Sequence, residues 1–504
     1  MVPYVRKSFY KHFCDGLKYI DNSNEYISSR FGGDLPIDSY QYTRHNGKAY
    51  KYAMDMTNRE IYQAVEAMYH NLNTLQSRSG NQLPFTSINY GTCTEPEGRM
   101  VTKAILEVSI KGIGKLHKTS VFPCGIFQCM KGVNRQPGDP NYDLFRLALR
   151  STAQRLYPNY ANVDWSVNAG YDREDPRTYV STMGCRTYNG YDINGLGYLK
   201  DGRGNIAPVT IILPTLAMMA KEGFVNEYDD NIIDVFMELL DTKIHEARDM
   251  LIERFEWICS QPSKSAKFMY ENGLMVGYIP EEGIRSALKH GTLVIGQLGL
   301  AETLQILIGC DHTERKGMEL AKRIETLFNK RCAEFKKECQ LNFGVYYTPA
   351  ENLCHTAMKK FRARYGTIPN VSDHEFFTNS MHVPVWKEMS VFEKIDIEAE
   401  LTGYSNAGCI TYIELDSTVK NNIDALETIV NYAMDKDIPY FAINVPNDTC
   451  LSCGYCDEFN DSCPVCGSEE IQQLRRVTGY LTGNYKTAFN KGKQQEVEKR
   501  VKHK

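Results

Sequence analysis

The sequence predicts an α/β fold built on a mainly parallel, buried sheet, and three observations carry that prediction. Short runs of β-branched and aromatic residues recur along the chain, long stretches of helical apolar periodicity separate them, and one run passes directly from strand to helix. Strands that alternate with long helices require crossover connections, which cover both faces of the sheet. On the residues alone the sheet can be open or closed into a barrel.

The first helix signal spans residues 57–78, where Ile61, Val65, Met68 and Leu72 recur at helical spacing behind Thr57, a residue able to cap. Residues 100–112, MVTKAILEVSIKG, mix β-branched and aliphatic side chains. The run VTIILPTLAMMAKEGF at 209–224 reads as a short buried strand that turns into a helix at Pro214. From Asn231 to about Cys259 the positions Ile232, Val235, Leu239, Ile244, Leu251, Phe255 and Ile258 mark a long helix, and 314–340 form a second one rich in charge. Further short strands are expected at 343–347, 408–414 and 439–445. After about Val445 the composition shifts to Cys, Asp, Gly and Asn, so a main domain over 1–445 and a small module over 446–504 are expected, with no internal repeat.

Lys+Arg 58 against Asp+Glu 62 gives a formal charge of −4, without the basic excess that nucleic-acid or anionic-membrane binding needs, so neither partner is expected. Hydrophobic content of 42% and charged content of 24% describe a folded chain. The start, MVPYVRKSFYKHFCDG, holds no uninterrupted apolar core of signal-peptide length, and no later stretch reaches the ~18 apolar residues of a membrane span. A cytoplasmic chain is expected, in which 16 cysteines read as thiols, metal ligands or catalytic groups and not as a disulfide framework. Familiar signatures are missing: Gly112-Ile-Gly114-Lys115 lacks the first glycine of a phosphate loop, and Asp249 stands where a zinc-protease helix beginning His245-Glu246 needs its second histidine. No G-x-S-x-G occurs.

Four local patterns carry chemistry. Cys453-Gly-Tyr-Cys456 and Cys463-Pro-Val-Cys466 form two C-x-x-C knuckles whose spacing suits one tetrahedral ion; zinc is the favoured metal, an iron site or redox dithiols the alternatives, and Cys450 is set aside as a bystander. Gly479 sits between bulky neighbours in Arg475-Arg476-Val477-Thr478-Gly479-Tyr480-Leu481, where glycine serves an ordinary turn. The same missing side chain also lets a buried Cα lose a hydrogen atom and hold a planar radical. Cys185, in Thr182-Met-Gly-Cys-Arg-Thr187, is either an inert core thiol or a reactive one. Thr348-Pro-Ala-Glu351 has the form of a capping box that starts a helix at Thr348, serving as a cap alone or as an anion site at the helix N-terminus. The basic tail Lys491–Lys504 reads as a solvated helical end.

The C-terminal run, a double C-x-x-C followed by RRVTGYL and then FNKGKQQEVEKRVKH, resembles the glycyl-radical end of anaerobic (class III) ribonucleoside-triphosphate reductases. Eight further segments resemble that family in its order: Phe85–Gly91, Pro96–Lys103, Gly112–Thr119, Met183–Arg186, Gly202–Asn205, Gly299–Thr303, Thr348–Glu351 and Thr378–Pro384. The resemblance implies a ten-stranded α/β barrel in which two loops meet, one with Cys185 as thiyl carrier and one with Gly479 as radical glycine. It implies further that Asn205 bonds the ribose, that Thr348, Ala350, Glu351 and His382 contact substrate, and that Cys453, Cys456, Cys463 and Cys466 hold structural Zn2+.

The activity implied is reduction of ribonucleoside triphosphates to 2′-deoxyribonucleoside triphosphates, with formate as a candidate reductant and dNTP effectors. A separate activating enzyme using S-adenosylmethionine and a 4Fe-4S cluster generates the radical. A homodimer is implied, to which the helix at 57–78 contributes near the effector site, in the cytoplasm of a bacterium or of a phage host. Family members carry a large portion upstream of the residues that MVPYVRKSFYKHF resembles, so a C-terminal piece working with an N-terminal companion chain is expected. Two competing readings remain, a glycyl-radical enzyme for another substrate and a catalytically silent zinc-ribbon binding module.

Overall fold

In chain order the strands are β1 Ser87–Tyr90, β2 Cys124–Cys129, β3 Asn159–Asn162, β4 Asn205–Ile212, β5 Thr292–Leu298, β6 Asn342–Tyr346, β7 Thr411–Glu414, β8 Tyr440–Asn444, β9 Asn447–Cys450, β10 Cys456–Asp457, β11 Ile471–Leu474, β12 Arg476–Val477 and β13 Tyr480–Leu481. The helices that build the cores are α1 Val2–Tyr19, α2 Lys48–Thr74, α3 Pro96–Lys111, α4 Tyr142–Arg155, α5 Leu213–Lys221, α6 Asp230–Cys259, α7 Leu300–Ile308, α8 Arg315–Cys339, α9 Leu353–Tyr365, α10 Val391–Thr402 and α11 Lys491–Lys499. This computed structural model describes residues 1–21, 32–44, 47–75, 83–222, 230–459, 461–477, 479–481 and 484–504. They form two units, one of Met1–Asn159, Ser417–Glu427 and Asn447–Gln472, the other of Tyr160–Asp416, Thr428–Pro446 and Gln473–Lys504.

In the first unit α1 and α2 pack on each other because Gly16 lets the backbones approach: a Cβ there would lie 2.8 Å from the Cα of Ala49. Phe9, Phe13 and Leu17 fill one apolar cluster with Tyr42, Ala49 and Ala53. Val5, Ile61, Val65 and Tyr69 fill another with Val101, Ala104, Ile105 and Val108 of α3. The expected helix at 57–78 therefore starts nine residues earlier, at Lys48, and Thr57 is a buried interior residue, not its cap. Its buried stripe runs Ala49, Ala53, Thr57, Ile61, Val65, Tyr69, and alanine and threonine are too weakly apolar to announce the first turns. Residues 76–78 lie outside the described residues. The mixed run at 100–112 is helical to Lys111, with Pro96 in the first turn of α3. Glu97 beside it is fully buried and accepts from Arg6 Nε and the Ile37 amide, both at 2.9 Å. β1 and β2 pair in parallel, and β9 and β10 form an antiparallel pair.

The second unit is organised on the parallel sheet β4-β5-β6. Every residue of β5 and β6 is buried, as expected of strands covered on both faces. α5 to α8 supply the cover: Phe236, Leu240, Ile244, Leu251 and Phe255 of α6, Leu304 of α7, and Phe328 and Phe335 of α8 share one core with Leu293 and Ile295. The strand-to-helix passage at Pro214, both long helices and the strands expected near 343, 408 and 439 all occur. β8 pairs with β7 in parallel and with β3 antiparallel.

The C-terminal tail corrects one expectation. α11 is helical, but its face is not solvated: Lys493 is 0% exposed, Glu496 and His503 are buried, and the Arg500 side chain just beyond the helix is only 11% exposed. Lys493 Nζ lies 2.5 Å from Glu496, Arg500 lies 3.3 Å from both Glu496 and Glu414, and His503 exchanges two 2.9 Å hydrogen bonds with the Glu414 backbone. Basic residues can be buried here because acidic partners meet them. No helix of the described residues is long and apolar enough to cross a membrane.

Candidate active site

Cys185 sits at the tip of a loop closed by the Thr182–Tyr188 bridge and by the Met183 amide donating to the Thr187 carbonyl at 2.8 Å. The loop is held from several sides. Tyr440 Oη donates to the Gly184 carbonyl at 3.1 Å, and the Tyr188 amide to the Ala407 carbonyl at 3.2 Å. The wholly buried Arg186 donates to the Tyr347 carbonyl at 3.1 Å and to Tyr412 Oη at 3.0 Å. Cys185 Sγ lies 3.8 Å from Thr187 Oγ1, which donates to Tyr346 Oη at 3.1 Å. Burial, with Cys185 next, pushes the Tyr346 phenol up, so it keeps its proton beside the thiol.

Gly479 is brought onto this loop by the hairpin β12–β13, in which Arg476 faces Leu481. It is buried and has φ +115°, a region that side chains avoid. A Cβ on it would lie 2.3 Å from the Cys185 carbonyl oxygen and 2.5 Å from the Cys185 Cα. Only glycine fits, and its Cα hydrogens are held against the backbone that carries the thiol.

Asn205 opens β4 and donates from Nδ2 to the Ala407 carbonyl at 3.2 Å, the same carbonyl that anchors Tyr188. Its Oδ1 is buried and has no hydrogen-bond partner among the described residues, an acceptor left over for a hydroxyl. Thr348 follows β6 and pairs with Thr210 Oγ1 at 2.9 Å in space that Gly296 leaves open. It does not cap a helix: α9 starts at Leu353 with Asn352 as N-cap, and Ala350 adopts φ +49°. The expected capping box fails because the Thr348 hydroxyl is engaged on the sheet and the positive φ at Ala350 breaks the turn. Glu351 is exposed between them. His382 stands behind the loop: its ring is 5.3 Å from that of Tyr412, and Nδ1 is 3.4 Å from Glu398. Burial draws its pKa down, and with Tyr412, Lys394, Arg500 and His503 it lines a cavity of about 30 Å³, one water's room.

The metal candidate lies in the first unit and corrects the expected ligand set. Cys450, Cys453, Cys463 and Cys466 place their sulfurs within 4.8 Å of one another, with Cys450–Cys466 at 3.5 Å and Cys453–Cys463 at 3.6 Å. A tetrahedron of ~2.3 Å zinc–sulfur bonds has edges of about 3.8 Å, so these four fit one ion. Cys450 takes the place given to Cys456. The cause is strand alternation: Cys456 faces Thr449 across β9–β10, so its side chain shares the face of Thr449, opposite to that of the next residue, Cys450. Cys456 Sγ accordingly meets Thr449 Oγ1 at 3.6 Å and Asn447 Oδ1 at 3.5 Å. The Cys453 amide draws the Cys450 thiol down to about 6, which favours the thiolate that a metal needs.

Sequence reasoning missed Cys450, Tyr346 and Arg476. Only Cys450 left a signal, because Cys450-Leu-Ser-Cys453 is itself a C-x-x-C that overlaps the next.

The anaerobic ribonucleoside-triphosphate reductase family matches residues 1–503. The anaerobic ribonucleoside-triphosphate reductase of Escherichia coli (strain K12) is 33% identical over 466 residues, covering 90% of this chain and 63% of its own length. That of Enterobacteria phage T4 is 31% identical over 513 residues, covering 99% and 77%. The chain thus spans about 63% of the length of the bacterial relatives it matches. Among solved structures, the anaerobic ribonucleotide reductase of Thermotoga maritima in complex with dATP and CTP superposes with a TM-score of 0.64 at 18% identity, covering 92% of this chain and 73% of that one. The two share a fold.

Proposed function

The chain belongs to the anaerobic ribonucleoside-triphosphate reductase family, and we propose that it carries the radical chemistry by which ribonucleoside triphosphates are reduced to 2′-deoxyribonucleoside triphosphates. The observation that supports this is the packing of the buried Gly479 onto the Cys185 backbone. A separate activating enzyme, using S-adenosylmethionine and a 4Fe-4S cluster, removes one hydrogen atom from the Gly479 Cα. The glycyl radical then takes hydrogen from the Cys185 thiol, so that an S–H bond breaks and a Cα–H bond forms. The thiyl removes the ribose 3′ hydrogen, the 2′ hydroxyl leaves as water, a two-electron reductant such as formate reduces the sugar, and the 3′ hydrogen returns.

The Asn205 Oδ1, lacking a partner, accepts from a ribose hydroxyl, while Thr348, Ala350, Glu351 and His382 serve the substrate side of the site. Thr187, itself held by Tyr346, gives the Cys185 thiol a polar neighbour. Zinc supplies a structural cross-link, held by Cys450, Cys453, Cys463 and Cys466, and residues 446–504 act as the zinc and radical part beside a catalytic part over 1–445 that closes as the family's ten-stranded barrel. The enzyme works in the cytoplasm as a homodimer under dNTP effectors, with the helix at 57–78 at the dimer and effector surface.

The test is electron paramagnetic resonance after anaerobic activation with the cognate activating enzyme, S-adenosylmethionine and a strong reductant. A glycyl doublet that oxygen destroys, with the backbone then cut at Gly479, is the expected result. Absence of both signal and cut, with zinc and activase verified, would leave the zinc-ribbon reading in its place.

A further inference from the structure

Arg476 is the largest charged side chain sealed behind the Gly479 turn, at 1% exposure. Its Nη1 donates to the Gly479 carbonyl at 3.1 Å and its Nε to Asn444 Oδ1 at 2.9 Å. Its own carbonyl accepts from Arg500 Nη1 at 2.7 Å. Asn444 in turn donates to Glu414 at 2.7 Å, and Glu414 meets Arg500 at 3.3 Å. The guanidinium is therefore held on Asn444 through Nε and reaches the carbonyl of the turn through Nη1. Burying a cation is costly, and a neutral amide would tie the same turn for less. Placing a charge on this carbonyl asks for a use of the charge.

We propose that Arg476 is a positioning residue that holds the Gly479 carbonyl and biases the hydrogen exchange between Gly479 and Cys185 toward the glycyl radical. The inference rests on the reading of Gly479 as radical carrier. When hydrogen leaves Cα, the unpaired electron spreads over the flanking amides, and density moves onto the carbonyl oxygen. A fixed cationic donor at that oxygen stabilises the delocalised form more than the intact C–H form, the more so because Gly479 and Arg476 are both buried. The same bond keeps the carbonyl in one plane, the geometry that delocalisation needs, while the Cα rests against Cys185. No further reactant is involved: an S–H bond is exchanged for a Cα–H bond, and Arg476 weights the balance.

The test compares the full-length wild type with R476Q and R476K after identical anaerobic activation, with the chain labelled with glycine carrying 13C at its carbonyl. R476Q is expected to hold at least tenfold less radical per chain and to show a changed carbonyl 13C hyperfine coupling, with zinc content and far-UV circular dichroism unchanged. R476K, which keeps the charge but not the fork, falls between. A loop that is merely loosened would lose yield without moving the coupling of the radical that remains. R476Q with wild-type yield and wild-type coupling overturns the proposal; if R476Q does not fold, R476K with wild-type values for both does so. A wild type that gives no doublet removes the radical reading itself, and this inference with it, a result distinct from either variant outcome.

Discussion

Replacing Gly479 with alanine tests the packing on which the site depends. The added Cβ would start 2.3 Å from the Cys185 carbonyl oxygen and 2.5 Å from its Cα, where ordinary carbon–oxygen contacts need about 3.3–3.6 Å. The two backbones must therefore part by about 1 Å. Holding alanine at φ +115° costs about 1–3 kcal/mol, and forcing the overlap another ~1–3 kcal/mol. Strands of two residues each, β12 and β13, cannot absorb this total of about 2–6 kcal/mol, so the hairpin leaves the Cys185 loop while the core stays folded. Hydrogen exchange should accelerate at least about 30-fold in peptides covering 182–188 and 476–481 and stay unchanged in β5. Gly195, at φ +109° with nothing within 4 Å of an added Cβ, isolates the dihedral cost in a parallel G195A protein. Wild-type exchange in both loops of G479A would refute the packing argument, and ribonucleotide reduction by G479A would refute the radical role.

Three further outcomes are expected. C450S should lose bound zinc on dialysis against a chelator while C456S keeps it, measured as metal per chain by mass spectrometry; the reverse ranking would restore Cys456 as ligand. Burial raises the carboxyls of Glu302 and Glu325 to about 7 from 4.5. The folded state therefore binds more protons than the unfolded state between those values, so stability present below pH 4.5 is lost as pH rises through 7, about 3 kcal/mol for each group. The double variant E302Q/E325Q should flatten the decline of melting temperature between pH 5.5 and 8, and an unaltered slope would sink this assignment. N205A should lower turnover at least tenfold with zinc content and radical yield unchanged, because the hydroxyl acceptor Oδ1 is lost together with the Nδ2 bond to the Ala407 carbonyl; full turnover would remove Asn205 from the site.

The long helices and the buried strands were legible because their apolar period exceeds anything a loop produces, as α6 with Phe236, Leu240, Ile244, Leu251 and Phe255 illustrates. The start of α2 was not, since Ala49 and Ala53 contribute contact through smallness and not through hydrophobicity. Thr348-Pro-Ala-Glu351 carried a genuine capping pattern, yet Thr210 offered its hydroxyl a partner from β4 that no local window contains. Cys450 and Cys456 were equivalent by spacing, and only the register of β9 on β10 separated them. The approach of Gly479 to Cys185 was beyond periodicity and spacing altogether; the resemblance of the flanking segments suggested it, and the space around the glycine is what supports it.

The tail shows why charge is the least legible property in a sequence. Lys493, Glu496 and Arg500 repeat at the spacing of a solvated, salt-bridged helix face, and their misreading followed from the ordinary cost of burying a cation. That cost is met for Lys493 by Glu496 of its own helix, and for Arg500 by partners from distant segments, Glu414 of β7 and the Arg476 carbonyl of β12. Such pairs are weak evidence for stability, since apolar residues of similar volume would hold the tail as well. What apolar residues would not do is fix direction. Arg500 grips the Arg476 carbonyl at 2.7 Å, and Arg476 grips the Gly479 carbonyl at 3.1 Å. A hairpin only two residues deep takes its position from these directional bonds and not from its own pairing. The end of the chain thus sets where a glycine without a side chain of its own can rest.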